Sequence, residues 1–436
     1  MPGLYVEEFL DNSNLKRVEY LIGKGVSIPN PHGVEIGRDV DLDRISGKNT
    51  VLHTGCKILG RTTLILAGAK LGLEGPVTVD NCQIGPDVKL NGGYFKSSVF
   101  LEGASMGLGG HTREGTILEE QASGAHTVGL KQTILFPFVT LGSLINFCDC
   151  LMAGGTSRTN HSEVGSSYIH FNYTPNQDKA TPSMLGDVPR GVMLNQKPIF
   201  LGGQGGLVGP CRLTYGTVIA AGTICRKDEL RPDRLIFGGD GKRRNVARMP
   251  LADRPDKRII VNNIEYIVNL LALQKWYGNV RSQFVSDRFT ESLLRGLREN
   301  LASAIAERIR RLKAFILKFD STVWQTNSAE SCGSSTEKSR KQSEIIENWP
   351  KIQETIQRYG EFEGDSALRD AFLKAVHTRI GTDGKDYIKV IGGLNARDAE
   401  IGTKWLQGIV DPIRFEIMAH LPSFNSCLGL TEVPRS

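Results

Sequence analysis

The chain has no run of 18 uninterrupted apolar residues, which excludes a hydrophobic membrane-spanning helix. Met1 to Glu8 lack the basic stretch and apolar core of a secretory leader, so a cytoplasmic protein is expected. The eight cysteines form no CxxC pair, and Cys148-x-Cys150 is too tight for a zinc knuckle. Reduced, mostly buried thiols and no metal site are therefore expected. No glycine-rich nucleotide loop or nucleophile elbow is found. A net charge of +6 over 436 residues is too mild to call for nucleic acid, and none is expected as a partner.

Glycine is abundant, at 49 residues, and most of it lies before about residue 230. In this half apolar residues recur every six positions: Leu201, Leu207, Leu213, Ile219, then Cys225. The same step joins Ile36 to Leu42, Ile58 to Leu64, Leu73 to Val79, Ile84 to Leu90 and Leu135 to Leu141. Helical positions six apart sit on opposite faces, and a flat strand repeats every two residues, so neither explains the step. A triangular parallel β-helix does. Each face takes about six residues, points one apolar side chain inward, and turns its corner on a small residue. The span 21–227 then gives about ten coils, a prism of roughly 50 Å. Thr174 to Pro198 falls out of step and reads as a surface excursion of the kind that carries binding sites.

The expected organisation is a terminal segment 1–20, the β-helix 21–227, a connector 228–257 and an α-helical domain 258–436 with a mobile loop near 327–341. Ile264, Ile267, Leu270, Leu271 and Leu273 line one helix face. Leu293 to Leu312 predicts a helix of about 30 residues, and further helices are expected near 343–359, 366–379 and 396–419. Arg308, Arg310, Arg311 and Lys313 form a basic cluster that reads as a solvated helix face or a phosphate contact.

One stretch is more specific. Ile199 to Pro210, leading to Gly216-Thr217-Val218-Ile219-Ala220-Ala221-Gly222-Thr223, resembles a known acetyltransferase domain. That domain belongs to the bifunctional UDP-N-acetylglucosamine pyrophosphorylase / glucosamine-1-phosphate N-acetyltransferase. Upstream, Asn172-Tyr173 looks like the asparagine–tyrosine pair of its sugar site. Lys179 lies one residue beyond the family's phosphate-binding lysine. The resemblance covers at most residues 135–227. It implies a left-handed hexapeptide β-helix, acetyl-coenzyme A as acyl donor, a small sugar acceptor, and a homotrimer with sites between neighbouring prisms. Gly203 stands where the family has a cofactor-touching serine, and Asp149 and Cys150 stand near its paired lysines.

N-acetyl transfer needs a base for the attacking amine, donors for the thioester oxygen, and both substrates held together. His161, His170 and His126 are the candidate bases. Asn172, Tyr173, Lys179 and Arg158 are candidate sugar-phosphate contacts. Gly203, Ala220 and Ala221 would let a pantetheine arm lie close, and Arg226 and Lys227 would meet its phosphates. Acyl transfer from coenzyme A to an amino sugar or its 1-phosphate is the leading expectation. A non-catalytic sugar-nucleotide-binding or scaffold protein on the same prism is the alternative. A uridylyltransferase would need the nucleotide loop that is missing.

Overall fold

A computed structural model describes residues 12–172, 179–238, 257–326 and 335–427. Helix α1 (Asn12–Gly23) sits against the first coil and buries Val18 and Leu21. A parallel β-solenoid of about 11 turns then occupies residues 35–236. Its strands are short and stack coil on coil along three faces. The first face runs from Glu35–Ile36 through Val128–Lys131 and Ile145–Cys148 to Ile224–Cys225. The second runs from Leu64–Ile65 to Arg212–Leu213, and the third from Val51–Leu52 to Leu235–Ile236. The strands Val128–Leu135 and Ile145–Met152 each cross from the first face to the second. They turn at Gln132 and Asp149, whose φ values are 50° and 62°.

The six-residue step is the alternation of faces. Leu201, Leu207, Leu213, Ile219 and Cys225 point inward from the third, first, second, third and first faces in turn, and all are buried. Leu73, which the step had placed inside, is 64% exposed at a corner. The solenoid also continues past residue 227: Leu213 bridges Glu229, and Leu235–Ile236 pairs with Val218–Ile219. The first part of the expected connector is therefore more solenoid, and 239–256 lies outside the described residues.

Two excursions leave the prism between the second and third faces. One is an antiparallel hairpin, Gly155–Ser157 with Asn160–His161. The other carries α2 (Val188–Gly191), capped by the Asp187 side chain on the Arg190 amide. A third leaves between the first and second faces, from Asn172 to the strand Ser183–Leu185, and includes 173–178, outside the described residues.

The second half is helical: α3 (Lys257–Lys275), α4 (Glu291–Thr326), α5 (Ser335–Tyr359), α6 (Ser366–Asp383), α7 (Tyr387–Gly392) and α8 (Ala396–Ala419). Residues 335–341, expected in a mobile loop, are the first turns of α5. Helices α3 and α4 lie along the second face of the solenoid. Apolar doublets explain why. Ile117-Leu118, Ile134-Leu135 and Leu151-Met152 bury one residue in the prism and the other beneath the helices. Gly296 lets α4 close in, because a Cβ there would stand 2.4 Å from Gln83 Cγ.

Candidate functional site

Most outward side chains of the first face are at least partly exposed, and the face carries a groove of about 460 Å³. Its outward column runs Tyr94, His111, Gly129, Asn146, Ile169 in strict register. Gly129 has no side chain, and the nearest atom to a Cβ built there is Asn146 Oδ1 at 3.8 Å. The gap forms the floor of the groove, between His111 and Asn146. The His111 ring leans on Tyr94, with centroids 5.3 Å apart.

One side of the groove is basic. Arg113 and Lys131 line it together with Cys148. Lys131 pairs with Glu114 at 2.6 Å, whereas among the described residues no carboxylate pairs with Arg113 or Lys179. Burial pushes the Cys148 thiol up to about 11, with Asp149 adding to the rise and Arg113, Lys131 and Lys179 opposing it. Cys148 is therefore a neutral thiol at pH 7, and three cations surround it. Such a surface suits a phosphate-bearing ligand. The sequence reading had Lys179 but missed His111, Arg113, Lys131 and Asn146. Their signal was available in register arithmetic: His111 and Arg113 lie on one coil, Lys131 on the next and Asn146 on the one after, all on the outward side or corner of the first face.

A corner of small residues runs down the edge between the third and first faces. Successive coils present Ala125-His126, Gly142-Ser143, Gly165-Ser166, Gly202-Gly203 and Ala220-Ala221. Backbone bonds from Ala125 to Leu141, Gly142 to Val164, Gly165 to Leu201 and Gly202 to Ile219 stack them. A Cβ on Gly202 would lie 2.3 Å from the Ala221 nitrogen, so that turn admits no side chain. Four coil steps separate His126 from Ala221, about 19 Å at ordinary strand spacing. Gly203, Ala220 and Ala221 are thus brought together, with His126 at the head of their line. His126 Nδ1 lies 2.7 Å from Ser143 Oγ, and the next residue, Thr127, lines the groove.

The remaining candidates fall elsewhere. His170 is 2% exposed and occupies the inward column of the first face, between Phe147 and Leu207. Its Nδ1 faces the Cys148 carbonyl at 2.5 Å and its Nε2 the Ser183 hydroxyl at 2.8 Å. Burial pushes it down to about 4, so it is neutral and has no ring nitrogen to spare. Asn172 follows two residues later, past the end of the first-face strand Ile169–Phe171. His161 lies on the hairpin at the edge between the second and third faces. Arg158, at the same hairpin's tip, donates to the carbonyls of Gln121 and Phe138 and to Thr140 Oγ1. Neither lies at the groove of its own chain. Asn172 and Lys179 stand on either side of residues 173–178 at the edge between the first and second faces, Thr181 donating to the Asn172 carbonyl at 2.8 Å, and Tyr173 lies outside the described residues. Arg226 and Lys227 are exposed one corner beyond Ala221. The basic cluster on α4 divides: Arg310 and Lys313 lie on the solvated face, Arg310 and Arg311 both pair with Glu307, and Arg308 is buried. Among the described residues no group of three or more His, Cys, Asp or Glu side chains converges on a metal position. No described helix is long and apolar enough to cross a membrane.

With the groove and corner in view, comparison with known proteins gives one consistent result. The chain is similar to bifunctional protein GlmU of Thermotoga petrophila, 27% identical over 226 residues, 52% of this chain and 44% of that one. It is similar to the Pelobacter propionicus GlmU, 26% identical over 209 residues, 48% and 40% of the two chains. The Mycobacterium tuberculosis GlmU is 24% identical over 216 residues, 50% and 39%. The chain therefore spans less than half the length of the curated relatives it matches. No family model matches it. The resemblance to a hexapeptide-repeat acetyltransferase domain stands on this similarity and on the solenoid.

Proposed function

We propose that the chain transfers an acetyl group from acetyl-coenzyme A to the amine of an amino-sugar phosphate. One observation supports this above the others: the small-residue corner and the cation-lined groove meet at His126. The pantetheine arm would lie along Gly203, Ala220 and Ala221. Its thioester end would run along the corner past Gly165-Ser166 and Gly142-Ser143 to the groove, so that the carbonyl reaches the amine beside His126. The acceptor would sit in the groove, its phosphate on Arg113, Lys131 and Lys179 and its hydroxyls on Asn146 and Asn172. With Nδ1 donating to Ser143, His126 keeps a lone pair on Nε2 and can take the proton from the attacking amine. The groove is a one-sided trough, and the helices leave the first and third faces free. A second prism of a homotrimer would supply the other wall.

His126→Ala is expected to lower kcat by about 10²–10⁴-fold, the usual worth of a positioned general base. His161→Ala is expected to leave it within a few-fold. A full loss in His161→Ala with His126→Ala active would overturn the assignment of the base. One observation favours binding without turnover. Asp149 and Cys150, near the family's paired lysines, are both buried, and Asp149 is bound to Arg308. A parent chain that binds glucosamine 1-phosphate and never releases coenzyme A would establish that second reading.

A further inference from the structure

Behind one edge of the groove, at the corner that follows Cys148, the helical half reaches the prism. Arg308 of α4 is 2% exposed, and its Nη2 lies 2.7 Å from Asp149 Oδ1. Asp149 is the corner residue next to Cys148, which lines the groove. Its second oxygen, Oδ2, accepts from Asn172 Nδ2 at 3.4 Å. Asn172 stands one coil further on, where the excursion leaves the prism. Helix α3 takes hold at the other end: the buried Asn263 donates from Nδ2 to the Ala180 carbonyl at 2.8 Å. Ala180 follows Lys179. Both ends of the segment from Asn172 to Ala180 are thus tied to the helices through buried side chains.

This is a poor arrangement for stability alone. A buried guanidinium facing one carboxylate loses its hydration and recovers only part of it. Arg308 Nε and Nη1 have no hydrogen-bond partner among the described residues. An apolar pair of similar volume would fill the space at less cost. What such a pair would lack is direction: Arg308 holds one oxygen of Asp149 and so aims the other at Asn172.

We propose that Arg308 is a positioning residue: acting through Asp149, it fixes Asn172 and the base of the 172–180 segment. The helical half then sets the acceptor end of the site without touching the acceptor. The idea rests on the reading of the groove as the acceptor site.

The test uses the full chain with Arg308→Met, Arg308→Lys, and Arg308→Met combined with Asp149→Asn. Amide hydrogen exchange is followed over residues 169–183, and glucosamine 1-phosphate is titrated alongside steady-state kinetics. Arg308→Met is expected to speed exchange in that segment about tenfold or more, with residues 35–90 unchanged. The acceptor KM or Kd should rise about tenfold, that for acetyl-coenzyme A should stay put, and Arg308→Lys should recover part of both. Unchanged exchange overturns the proposal. So does faster exchange throughout the chain with a fall in kcat alone, which marks a purely structural residue. If Arg308→Met fails to fold, the double variant leaves no unpaired buried charge and takes its place. If the parent binds no glucosamine 1-phosphate, the proposed function fails, and the exchange measurement alone decides whether Arg308 fixes the segment.

Discussion

At the scale of single residues, charge is concentrated where the two halves meet. Glu119 and Glu120 share one guanidinium, Arg281, which is fully buried between them at 3.0 Å and 2.6 Å. Tyr277 donates its hydroxyl to Glu119 as well. Burial pushes the Glu119 carboxyl up to about 7, with Arg281 pulling it back and Glu120 adding to the rise. A raised carboxyl takes up a proton on folding. Its contribution is full below about 4.5 and is lost as pH rises through about 7. His170 runs the other way, losing its contribution as pH falls from about 6.5 through 4. Glu119→Gln imitates the protonated acid. It should stabilise the chain at pH 8 by about 2–3 kcal/mol and make no difference near pH 4, as read from urea unfolding at both values. Equal stability at pH 8 would mean that Glu119 is ionised there at no cost. The same scale shows where sequence reading fell short. Period six gave most of the inward column, though not Leu73, yet His170 belongs to that column and was taken for a candidate base. A histidine is ambiguous in a pattern built from apolar residues, and only its two hydrogen bonds show that it is core.

At the scale of elements, the hexads were legible because one inward residue per face repeats over most coils, with Leu73 an exception. The covered face was also written in the chain and went unread. A strand with water on one side alternates apolar and polar, whereas Ile134-Leu135 and Leu151-Met152 are apolar at both positions. Such doublets gather on the second face, where α3 and α4 lie. Ile134 and Lys89 are both outward residues, one under the helices and one in solvent. Ile134→Ala should cost about 2–5 kcal/mol. Lys89→Ala should stay within about 0.5 kcal/mol. Paired denaturation curves decide this; similar losses at the two positions would mean that the helices do not seal the second face. The long helices were readable from their stripes, but α7 was not, since six residues carry too little periodicity.

At the scale of the whole molecule, the solenoid supplies the groove and the small-residue corner, and the helices cover the second face and meet the corner beside the groove through Arg308 and Asp149. The candidate site was only partly legible because it is assembled across coils. His126, Gly203 and Ala221 lie far apart in sequence and share one edge. His161 and Arg158 lie close to Asn172 in sequence and sit at a different edge. Spacing along the chain ranks residues by distance in sequence, whereas a solenoid ranks them by angle around its axis. The measurement that bears most directly on the acyl-transfer reading is thiol release from acetyl-coenzyme A by the full chain, with and without glucosamine 1-phosphate. We predict saturable release that requires the amino sugar and is lost in His126→Ala. A folded chain that releases no coenzyme A at millimolar concentrations of both substrates would contradict it.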